Sequence, residues 1–192
     1  TASMDAIGQM RLNPHFLAPL TVKNVIFLLA HEAMHYMLCH STRRGARDPK
    51  QWNIAADWVI NDTLIDAKVG DFIEGGCYFD GARDKATEEL YADPPPEGND
   101  GNGGEGGIGL DVGDPVDGTG QPLDESKIKE IEAKAKIEAI QSSKLAKQKG
   151  KLPASLERMV DELVNVKTPW YDILERYMTG KVKDGWSWKR PN

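Results

Sequence analysis

The chain is 192 residues long and weighs 21.2 kDa, room for one domain with a substantial core. A net charge of −6 and a pI near 5.3 speak against a nucleic-acid partner, and no apolar run is long enough to cross a membrane. The two cysteines, Cys39 and Cys77, have no CxxC spacing, which argues against a disulfide framework and for a reducing cytoplasm.

The sequence opens on Thr1 without a signal-peptide pattern, as expected of a piece cut from a longer protein. Residues 8–12, GQMRL, are expected to form a strand before the turn at Asn13–Pro14. Such an edge strand is a place where an extended peptide can pair. Thr21 suits the N-cap of a helix in which Val22, Val25, Ile26, Leu28 and Leu29 recur at helical spacing. That helix carries HEAMHYMLCH and is predicted to end near the polar stretch Ser41–Gly45.

After the basic loop TRRGARDPK, residues 52–67 read as a second helix with Ile54, Trp58 and Ile65 on one stripe. Residues 69–80 are aromatic and glycine-punctuated, and are predicted as strand and turn. A short helix is expected over 82–91, stopped by Pro94–Pro96. From Gly98 to Gly120 ten of 23 residues are glycine, too little apolar surface to offset the entropy of ordering. Residues 93–122 are therefore read as a flexible acidic loop within a single domain spanning 1–192. Helices are predicted over 124–149, 154–166 and 169–178, and Trp186 and Trp188 in the tail GWSWKRPN read either as anchors on the core or as a docking surface for a following domain.

The chemistry concentrates in HEAMH. On a helix, residues four apart share a face, so His31 and His35 can present imidazoles to one metal ion, with Glu32 beside that face. Zinc is the expected ion. It lowers the pKa of a bound water from about 15.7 towards roughly 7, and Glu32 would take that proton and deliver it to a leaving amine. The bare pattern also arises by chance, as a solvated polar patch on a core helix. An apolar helical stretch in front of it, and three of the four histidines within ten residues, favour the metal.

Two residues compete for third ligand. His40 lies about 180° around an ideal helix from His31. It can join only if the helix breaks after His35, and YMLC offers no glycine for that. A helix-end cation or an outer group behind the ligands is an equal reading of His40. Asp57 is the stronger candidate: Asn53 and Asn61 flank it at i−4 and i+4, among apolar neighbours that make an unpartnered carboxylate expensive to bury. The plain alternative pairs Asp57 with Arg43, Arg44 or Arg47. Asp62 is the fallback ligand on the neighbouring face, and His15 reads as a surface residue.

With these residues in view the chain resembles a known family. HEAMHYMLCH, WNIAADWVIND, FDGARDKATEELY and a terminal SWKRPN, in that order, look like the metallopeptidase domain of bacterial and phage proteins that usually precedes a von Willebrand factor A-like domain. The resemblance implies metal ligation by His31, His35 and Asp57, catalysis by Glu32, a peptide or protein substrate, and a von Willebrand factor A-like partner. The expected fold is α+β and mainly helical, zincin-like, with the HExxH helix and a small N-terminal sheet. Two other readings compete with a zinc peptidase. One is a non-catalytic zincin-like module that binds zinc and partners. The other is a closed structural site in which His31, His35, His40 and Asp57 all coordinate.

Overall fold

In a computed structural model of the chain, residues 2–95, 113–116 and 120–164 are described. Strands β1 (Ala2–Met4) and β2 (Met10–Leu12) form an antiparallel hairpin with Ala2 opposite Leu12 and Met4 opposite Met10. The predicted strand starts two residues late, because Gly8 sits at φ +86° in the turn. There the Asp5 carboxylate accepts the amides of Ile7 and Gln9, an Asx-type closure. A short helix α1 (Pro14–Leu17) follows, capped by Asn13.

Helix α2 (Val22–Met37) starts as expected. Thr21 and Asn24 form a reciprocal capping box, which satisfies two of the amides that a helix start leaves over. Its buried face is Phe27, Leu28, His31, Glu32, Met34 and His35. Val22, Ile26 and Leu29 instead remain exposed, so the apolar stripe read from the sequence is only partly the core face. Burial of Phe27, Leu28 and Met34 contributes about 1.5–3 kcal/mol each.

The helix ends sooner than predicted. Cys39 takes a left-handed conformation at φ 56°, and a separate short helix α3 (His40–Arg43) departs from it. Three side chains hold this break. Arg43 Nη1 donates to Leu38 O at 2.8 Å, Trp52 Nε1 donates to His40 O at 2.9 Å, and Thr42 Oγ1 donates to Glu132 at 2.7 Å.

Arg43 is itself held by both oxygens of Glu88. Partial burial opposes charge on Glu88, but the Arg43 guanidinium outweighs it and holds the carboxyl below its ordinary value. A depressed carboxyl pKa contributes stability that is present above the ordinary value and lost as pH falls through the folded one. Glu88→Gln is therefore expected to cost up to about 1 kcal/mol at neutral pH, solvent screening included. The cost should vanish in acid. Urea midpoints of both proteins at neutral and acid pH check this, and a pH-independent gap would count against the pair.

Helix α4 (Pro49–Asp66) begins at the Asp48 cap with Pro49 in its first turn. It is buried nearly all round, with Trp52, Ala55, Ala56, Ile60 and Leu64 in the interior. It packs against α2, against a 3₁₀ turn (Ala82–Asp84) and against α5 (Thr87–Ala92). Phe27, Met34, Leu38, Ile60 and Leu64 form one core cluster; Ala55, Val59, Ala82 and Leu90 form another. Helix α6 (Glu125–Gln148) lies against α2 and buries Ala135 and Ala139. Helix α7 (Ala154–Val164) adds Leu156 and Met159 to the first cluster.

Residues 69–80 contain no strand, contrary to the sequence reading. They form a strap in which side chains, rather than a ladder, take three of the carbonyls. Asn24 Nδ2 donates to Asp71 O and Phe72 O, and Asn61 Nδ2 donates to Cys77 O. Gly70, at φ +70°, brings the strap so close to α2 that a Cβ there would lie 2.4 Å from Lys23 O.

The architecture is thus mainly helical, with a two-stranded antiparallel sheet at the N-terminus. No described helix is long and apolar enough to cross a membrane. Most of the acidic loop, the helix expected over 169–178 and the Trp-rich tail lie outside the described residues.

Candidate metal centre

Helix α2 supplies His31, Glu32 and His35, and α4 supplies Asp57 between Asn53 and Asn61. Their packing brings three ligand atoms together. His31 Nε2 stands 3.0 Å from His35 Nε2, His35 Nε2 stands 3.2 Å from Asp57 Oδ1, and His31 Nε2 stands 3.5 Å from Asp57 Oδ1. All three residues are at least 95% buried. In a tetrahedral shell with zinc–ligand distances near 2.0–2.1 Å, ligand atoms stand about 3.3–3.4 Å apart. The triangle is close to that size, and these three residues could hold a metal ion.

Neighbouring amides contact two of the three candidate ligands. Asn61 Oδ1 lies 2.8 Å from His31 Nδ1, and with a proton on that nitrogen the lone pair is left on Nε2, facing the triangle. Asn53 Nδ2 donates to Asp57 Oδ2 at 3.1 Å. Asp57 Oδ1 makes no hydrogen bond and is buried, although 3.2 Å from His35 Nε2. A buried carboxylate oxygen in that condition is costly unless a cation answers it.

The neighbouring charges shift each of the three groups. Burial opposes the charge on Asp57, but His31 and His35 together hold its carboxyl below the ordinary value. Burial also opposes a charged His31, yet Asp57 and Glu32 keep its pKa raised. Burial lowers that of His35.

Glu32 is fully buried, and neither carboxylate oxygen has a hydrogen-bond partner. Burial first, with the negative charge of Asp57 adding to it, pushes its pKa to about 7, against the pull of His31. A carboxyl at that value is suited to accept and release a proton near neutrality.

His40 stands outside the triangle and is not a surface cation. It is fully buried, with Nδ1 3.1 Å from His35 Nδ1, on the side of that ring away from the triangle. Its Nε2 lies 3.2 Å from Thr87 Oγ1. Burial, reinforced by His35 and Arg43, drives its pKa well down, so it is neutral.

The arginines considered for Asp57 are engaged elsewhere. Arg43 meets Glu88, Arg44 meets Asp114, and Arg47 donates to the carbonyls of Arg43 and Arg44. Asp62 is spent on Arg83, whose amide and Nη1 each lie 2.9 Å from one of its oxygens. His15 is exposed.

Beyond His40 and Thr87 lies a cavity of about 600 Å³ bounded by Met37, Val59, Lys136 and Met159. His31, Glu32 and Asp57 do not line it. The position of His40 behind His35 agrees with the outer-group reading, and it depends on the break at Cys39, which no glycine announces.

A family model described as "Putative metallopeptidase domain" matches residues 1–192. No curated protein and no solved structure matches the chain.

Proposed function

Because the chain belongs to that metallopeptidase-domain family, we propose that it is a zinc-dependent peptidase in which His31, His35 and Asp57 hold the ion and Glu32 moves the proton. The observation that carries this reading is the buried triangle of ligand atoms with the unpartnered Glu32 carboxylate on the adjoining residue. Zinc, when bound, supplies Lewis acidity towards a water and a peptide carbonyl.

The chain's own residues do the rest. Asn61 and Asn53 keep His31 and Asp57 turned to the centre. Glu32 accepts a proton from the attacking water and returns it to the departing amine. Its burial keeps the carboxyl basic enough for the first step and acidic enough for the second. The two free cysteines fit a reducing compartment such as the cytoplasm.

One observation favours a second reading. Every residue of the centre is buried, Glu32 completely, as suits a non-catalytic module that holds zinc and works with a von Willebrand factor A-like partner. Metal analysis and a peptide-library digest separate the two. The peptidase reading expects one zinc per chain and cleavage that a chelator stops and zinc restores. One zinc per chain with no cleavage of any peptide supports the module, and no zinc at all defeats both.

A further inference from the structure

We propose that His40 is a positioning residue for His35: it dictates which ring nitrogen of His35 carries the proton, and so turns a lone pair towards the metal triangle. The inference rests on the zinc centre proposed above. Two imidazole nitrogens face each other at 3.1 Å, His35 Nδ1 and His40 Nδ1. A contact of that length between neutral rings holds one proton, on one side or the other. His35 Nε2 is turned to His31 Nε2 and Asp57 Oδ1, so ligation there requires the proton of a neutral His35 to sit on Nδ1. His40 Nδ1 then accepts it. The proton of His40 is left on Nε2, opposite Thr87 Oγ1 at 3.2 Å.

The same logic holds for His31, whose Nδ1 faces Asn61 Oδ1. Each histidine of the triangle thus has an acceptor behind it, one an amide and the other a ring. Such outer groups commonly contribute 10- to 100-fold in metal affinity.

The helix break acquires a purpose on this account. In an uninterrupted helix His40 would stand about 140° around the axis from His35. The left-handed turn at Cys39 returns it to the back of His35, although that conformation is unfavourable for a non-glycine residue. The Trp52 indole then grips the His40 carbonyl at 2.9 Å. Full burial of a polar ring with both nitrogens in contact is poorly explained by packing alone.

Two substitutions separate the acceptor from the volume. His40→Asn places an amide oxygen where Nδ1 was, whereas His40→Leu fills the space without an acceptor. Zinc affinity by chelator competition is expected to fall about 10- to 100-fold in His40→Leu and to stay within about threefold of wild type in His40→Asn. Packing alone would give the reverse order. Nitrogen-15 spectra of the zinc-loaded wild type should show His40 bare on Nδ1 and protonated on Nε2, a readout that survives even if His40→Leu fails to fold.

Wild-type zinc affinity in His40→Leu, or a proton on His40 Nδ1, would overturn the role of His40 while leaving the zinc centre standing. A wild-type chain that binds no zinc overturns the centre itself.

Discussion

Glu32→Gln is expected to lower peptide hydrolysis by about 10²- to 10⁴-fold while zinc stays bound at one per chain. The amide has the shape of the carboxylate but cannot accept a proton, so the substitution removes the proton transfer and little else. The chain should still fold. Neither oxygen of Glu32 makes a hydrogen bond in the structure, so no structural contact is lost, and a buried ionisable group becomes neutral. Unfolding temperature, zinc content and kcat measured on one preparation decide the matter. A variant that keeps zinc and more than a tenth of its activity would remove Glu32 from the role of base. Hydrolysis lost together with zinc would mark it instead as a support for the metal shell.

Much of this centre was legible because each of its chemical demands has a local signature. Histidines four apart on a capped apolar helix share a face wherever that helix packs, and His31 and His35 do so. Asp57 stood out as an acid with amides one turn away on either side, and those amides prove to touch the candidate ligands, Asn61 at His31 and Asn53 at Asp57. What stayed hidden depends on distant partners. The break at Cys39 is stabilised by Trp52, 12 residues from His40, and by Glu132, 90 residues from Thr42. Local propensity favours continuing the helix through YMLC, and tertiary hydrogen bonds override it.

The strap is the opposite case. Residues 69–80 have strand-like composition but no strand beside them among the described residues, and the side-chain amides of Asn24 and Asn61 take carbonyls that a ladder would have taken. The exposed Val22, Ile26 and Leu29 show that apolar periodicity marks a helix more reliably than it marks which face is buried.

Asp57→Asn should weaken zinc binding by at least about 10³-fold, equivalent to roughly 4 kcal/mol. The argument begins from charge: two neutral imidazoles and one carboxylate make a shell of charge −1 against a dication, and Asp57 carries all of that charge. The substitution also reverses a dipole. Asn53 Nδ2 donates to one oxygen of the side chain, so residue 57 as an amide would turn its oxygen to Asn53 and its NH₂ group towards the ion. Asp62→Asn supplies the contrast one turn along the same helix. Both Asp62 oxygens are committed to Arg83, so that change should cost about 1–3 kcal/mol of stability and leave zinc affinity untouched. Two acids five residues apart, equally buried, would then separate cleanly into one that serves the metal and one that serves the fold. Zinc affinity measured by chelator competition in both variants tests the division. If Asp62→Asn lost zinc and Asp57→Asn kept it, the assignment of the third ligand would be reversed.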